Sequence, residues 1–130
     1  MWLAALWWGS LTALGFWLVP TLFSQLPAKA QAGQAAAALF SAQSMAAAVL
    51  GAGLLLASRS GATRWHSPAA QQARGFVLAG MVLALLLEFA VAPRIVARID
   101  LPLWHGLGSA MVLLQWVCAA VVFWRLARPR

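Results

Sequence analysis

The chain has 130 residues, of which 64% are hydrophobic and 8% charged, against about 25% charged residues in soluble domains; no aqueous fold of this size can hide that much apolar surface. Nine basic and two acidic side chains give a net charge of +7. The basic residues stand singly at the ends of apolar runs, a pattern of membrane topology signals that excludes a nucleic-acid-binding face. Lipid is the solvent these properties require, and at about 20 residues per span the length gives roughly four spans in a single membrane domain. The expected fold class is all-α: an integral membrane four-helix bundle with short loops and the lipid bilayer as its first partner.

The first apolar run covers about residues 3–23. Ala28-Lys29-Ala30 resembles a signal-peptide cleavage site, but no charged side chain precedes the run, and it exceeds the roughly 7–15 apolar residues of a signal core. An uncleaved span is therefore expected. Trp2, Trp7 and Trp8 lie near one end, where indoles suit an interface, and Trp17 is expected to pack against a helix. Pro20 removes a backbone donor and should bend or end the helix just before Thr21.

A polar connection leads to the second run, about 35–57, in which Ser41, Ser44, Ala48 and Gly51 recur at helical spacing and form a close-packing face. Gln43 and Ser44 are expected to hydrogen-bond between helices rather than to line a path. The linker 58–74 carries Arg59, Arg64, His66 and Arg74, and Ser67-Pro68 reads as an N-cap followed by proline at the first helical position.

The third run, about 76–92, is short for a span. Gly80, Ala84 and Glu88 follow at intervals of four, so the carboxylate shares the small-residue face and points at a neighbouring helix. A charge within hydrocarbon costs about 2.5–3.5 kcal/mol on insertion scales unless it finds a partner or water. Pro93 ends or kinks this helix. Arg94 and Arg98 beside Ile95, Val96 and Ile99 suggest an amphipathic turn at the interface, with Asp100 and Pro102 as turn formers. The last run, about 106–126, starts at His105, carries Gln115 and stops in Arg125, Arg128 and Arg130.

With four spans, both termini and the middle linker share a side bearing six arginines, Arg59, Arg64, Arg74, Arg125, Arg128 and Arg130, against Lys29, Arg94 and Arg98 on the other. This places both termini in the cytoplasm of a multi-pass bacterial inner-membrane protein. Thr21, Glu88, Arg94, Asp100 and His105 then gather near the outer surface.

The segment from Pro20 to Phe40, PTLFSQLPAKAQAGQAAAALF, carries Pro20-Thr21-Leu22-Phe23, Gly33 and Phe40; further on stand Glu88, Pro93-Arg94 and His105-Gly106. This pattern resembles the bacterial domain of unknown function 4149, a group similar to the eukaryotic transmembrane protein 205 family. Ser109 stands beside Gly108, where the family more often has serine, and the stretch between Arg94 and His105 is shorter than usual. The resemblance implies a four-span bundle and, through the eukaryotic relative, transport or detoxification.

Enzyme chemistry finds no support: zinc-type His/Cys spacing, a phosphate loop and a nucleophile elbow are all missing. No cofactor is expected, since His66 and His105 belong to opposite faces of a core about 30 Å thick and cannot share one haem. As a metal site, Glu88 and His105 are the candidate ligands, with Met45 or Met111 as a thioether for copper. The polar cluster Glu88, His105, Arg94 and Thr21 supports two readings: small-solute, ion or metal handling, or a structural clamp of Glu88 with His105 in a subunit that binds another membrane protein. A homo-oligomer would add the walls that four helices alone scarcely supply.

Overall fold

In the computed structural model, which describes residues 1–61 and 65–128, four long helices account for nearly all of the chain and no strand occurs among the described residues. They are α1 (Trp2–Gln25), α2 (Lys29–Arg59), α3 (Pro68–Val96) and α4 (Leu101–Ala127), each long and apolar enough to cross a membrane. Arg64 and Arg130, two of the six flanking arginines, lie outside the described residues.

Every helix runs beyond its apolar stretch, because backbone hydrogen bonding continues into flanking residues that are polar yet helix-compatible. At 31 residues, α2 is about 46 Å long at roughly 1.5 Å per residue and outruns a hydrocarbon core of about 30 Å. The start of α3 follows the expected capping chemistry: the Ser67 hydroxyl accepts from the Ala70 N–H at 3.2 Å, and Pro68 occupies the first turn.

The helices alternate in direction. Ser10 meets Gln43, Ser41 meets Glu88, and Thr12 meets Trp116, so both termini lie at one end of the bundle. That end is tied by Arg74, which donates to the Ser58 carbonyl at 2.8 Å, and by Arg125, which bonds the Gln72 side chain and lies over the Phe76 ring. At the other end, α3 passes into a tight turn in which Arg98 and Asp100 adopt φ of +55° and +41°. The expected amphipathic turn is shorter than its sequence suggests: Ile95 still belongs to α3 and packs on Leu87, Val91 and Met111, while Val96 and Ile99 are exposed.

Trp7 is fully buried, its ring seated on Gly80, where an added Cβ would come within 2.6 Å of the indole. Trp8 stacks on Phe123 with centroids 5.5 Å apart. These two tryptophans are core residues rather than interface anchors, because α1 needs bulk to fill the space that glycine leaves on α3. The reverse holds for Trp17, which is 71% exposed and faces away from the bundle. Leu56, Val82 and Phe89 also stand outward, giving the apolar exterior that a bilayer requires. Gln43 donates to Ser10 Oγ at 3.0 Å, as expected of interhelical bonding.

Neither proline ends its helix. A π turn at Leu14–Leu18 precedes Pro20 and another at Leu87–Val91 precedes Pro93. In both, an N–H reaches back five residues, Val19 to the Leu14 carbonyl and Ala92 to the Leu87 carbonyl. The helix continues through the wider turn and past the proline, which has no N–H to give.

Gly80→Ala should lower the detergent melting temperature, since overpacking against a rigid ring costs about 1–3 kcal/mol, whereas Gly15→Ala, with nothing within 4 Å of the added Cβ, should not. Equal melting temperatures would contradict the seating of Trp7.

Candidate functional site

Glu88 sits in the second π turn, on the face of α3 that continues Gly80 and Ala84. Gly80 is packed by Trp7 of α1 and Cys118 of α4, whereas the carboxylate, further along, meets α2: the Ser41 hydroxyl donates to Glu88 Oε1 at 2.7 Å. The length is that of a well-formed O–H···O bond. Around the pair opens a cleft of about 460 Å³ lined by Ala37, Ser41, Glu88, Ala92, Pro93, Val96 and Ala97. It exists because the α2 wall carries only Ala37 and Ser41, and because Pro93 and Ala97 opposite are equally short. Glu88 is half-buried and reaches the cleft from its floor.

The same turn supplies a second polar group. Pro93 has no N–H, and Ala92 gives its own to Leu87. One carbonyl at Glu88 or Phe89 is thereby left without its intrahelical donor.

The other members of the sequence cluster go elsewhere. The Arg94 guanidinium donates to the Ala90 carbonyl and lies 4.6 Å from the centroid of the Trp104 ring. Thr21, on the exposed side of α1, donates to the Trp17 carbonyl at 2.7 Å. His105 is exposed in the first turns of α4, and its carbonyl accepts from Ser109 at 2.9 Å. The proposed clamp of Glu88 with His105 is therefore absent. Leu87 and Val91 occupy the α3 face that packs on Met111 of α4, and Glu88 lies about 100° further round the helix, toward α2. For the same reason the candidate metal pair does not converge: Met111 is on the α4 side, Met45 is 43% exposed, and no group of three His, Cys, Asp or Glu residues forms among the described residues. His66 is exposed in the linker at the opposite end.

Of the motif positions, Pro20 and Pro93 mark the two π turns. Leu22, Gly33 and Phe40 are half-buried, while Phe23 and Gly106 are exposed.

Ser41, read from sequence only as part of a packing stripe, is the residue that completes the site. A signal for the site was present in the chain: Leu14-x-Phe16-x-x-x-Pro20 is repeated as Leu87-x-Phe89-x-x-x-Pro93. The copies behave alike. Leu14 and Leu87 are buried, Phe16 and Phe89 are 65% and 69% exposed, and the side chain after each proline, Thr21 or Arg94, donates to the carbonyl four residues earlier. The carboxylate at position 88 is thus the departure from a shared plan that has Gly15 in the first copy.

Compared with known proteins, residues 2–100 match the family described as a domain of unknown function, DUF4149. No curated protein and no solved structure matches the chain. The match does not show a likeness to transmembrane protein 205, and it stops before His105 and Gly106. Four membrane-spanning helices and a match over most of its length make this chain a multi-pass member of the DUF4149 family.

Proposed function

We propose that the protein handles a small positively charged solute, the proton included, at the lateral cleft between α2 and α3. One observation carries this reading: the Glu88 carboxylate faces an open cleft, is hydrogen-bonded by Ser41 alone, and has no cationic side chain within ion-pair distance among the described residues. A carboxylate placed about 12 Å from the end of α3, counting eight residues to Val96 at roughly 1.5 Å each, requires a counter-charge or water. Arg94, the nearest arginine in sequence, is engaged by Ala90 and Trp104. The arginine distribution supports an inner-membrane setting with both termini cytoplasmic, which turns the cleft toward the outer leaflet. The reaction type is binding or transfer rather than catalysis.

A second reading, an assembly subunit for another membrane protein, draws on the closed centre of the bundle. Trp7, Leu54, Val77, Gln115 and Val122 are all but fully buried there, which argues against a path through a single chain. A homo-oligomer or a partner that covers the cleft would supply the missing wall.

In liposomes with imposed proton or alkali-cation gradients, wild-type protein should carry flux above empty vesicles. Glu88→Gln should lower it by about tenfold or more, as expected for losing one charge-assisted interaction of about 1.5–3 kcal/mol. His105→Ala should leave it unchanged. Flux indistinguishable from empty vesicles would contradict the handling reading and favour the assembly one. A reporter active only in the cytoplasm, fused after Arg130, should be active; an expressed but inactive fusion would reverse the orientation.

A further inference from the structure

The two halves of the chain place the same broken helix against different neighbours. Beside the α1 break stands Trp116 of α4, whose indole N–H donates to Thr12 Oγ1 at 2.8 Å and whose ring lies edge-on to Phe16 at 5.8 Å. Beside the α3 break stands Ser41 of α2. The two residues correspond: each is the fourteenth after a Leu-Pro proline that precedes or opens its helix, Pro27 for Ser41 and Pro102 for Trp116. One half puts an aromatic side chain beside its π turn, on Thr12 and Phe16. The other puts a hydroxyl there, replaces Gly15 by Glu88, and leaves the cleft open.

The cleft's chemistry narrows the occupant. Its walls, Ala37, Ala92, Pro93, Val96 and Ala97, carry no polar side chain, and its floor carries one carboxylate. A stripped inorganic cation would find the Glu88 carboxylate, the Ser41 hydroxyl and the carbonyl that Pro93 leaves without a donor, fewer than the six to eight oxygens calcium takes. The cleft, about 460 Å³ and open along its side, is far larger than a bare ion needs. A single negative charge between apolar walls is complementary to a single positive charge carried on an apolar body.

We infer that the cleft binds a monovalent organic cation with apolar or aromatic flanks, its charge against Glu88 and its body between Ala37 and Pro93. This rests on the cation-handling reading of the same cleft and names the class of solute.

The test is equilibrium binding of tetraphenylphosphonium to detergent-purified full-length protein, with uncharged triphenylphosphine oxide as the neutral comparison. Wild type should bind the cation saturably and the oxide not at all. Glu88→Gln should weaken binding by about tenfold or more, Ser41→Trp should abolish it by placing an indole against Glu88 in the cleft, and His105→Ala should bind as wild type. Circular dichroism and a monodisperse elution profile establish folding; should Ser41→Trp misfold, Ser41→Leu gives the same reading. Absence of saturable binding, equal binding by Glu88→Gln, or equal affinity for the oxide would each overturn the inference. If the cation fails to bind while liposomes show Glu88-dependent flux of protons or alkali cations, the organic-cation assignment falls and the cation-handling reading stands. If both fail, both fall.

Discussion

Within hydrocarbon every backbone N–H and C=O must find a partner inside the protein, and this chain breaks that rule twice on purpose, at Pro20 and Pro93. Each lies just beyond a π turn, in which the Val19 or Ala92 N–H reaches back five residues. The side chain after each proline then returns to cap a carbonyl: Thr21 in α1, Arg94 in α3. The extra residue in the turn also rotates what lies on it. Leu87 and Val91 remain against α4 while Glu88 comes to face α2, so the position of the one intramembrane carboxylate follows from how the chain satisfies its backbone around a proline.

The rest of the bundle keeps that carboxylate at the side. Gly80 brings α3 against the Trp7 ring, and the centre is filled by large side chains. Two polar pairs in the interior bond helix to helix, Gln43 with Ser10 and Trp116 with Thr12, while Gln115 Oε1 and the Trp7 indole N–H are buried without a partner. What remains for chemistry is a lateral cleft opening where α2 and α3 both carry short side chains. A solute there would enter from the bilayer or the nearby interface, and the alternation of helices puts both termini at the far end of the bundle.

Much of this was legible in the residues. Apolar run lengths gave the four spans, Ser67-Pro68 the start of α3, and the Gly80-Ala84-Glu88 spacing the direction of the carboxylate toward a neighbouring helix. Which neighbour was not legible, because Glu88 lies about 100° from Leu87 round the helix and the π turn shifts that angle locally. Proximity in sequence and at one membrane face suggested His105; packing chose Ser41. The tryptophans misled for a related reason, since an indole near a span end suits either an interface or a glycine on the next helix, and Gly80 lies 73 residues from Trp7. The repeated Leu-x-Phe-x-x-x-Pro pattern carried more information than either composition or charge, as it marks both breaks and isolates Glu88 as the departure between them.

The site therefore depends on one contact across α2 and α3, Ser41 with Glu88. In a Cys118→Ala background, Ser41→Cys paired with Glu88→Cys should be cross-linked rapidly in membranes by a short bifunctional thiol reagent, while Glu88→Cys paired with His105→Cys should not. Preferential cross-linking of the 88–105 pair would contradict the cleft described here and restore the clamp.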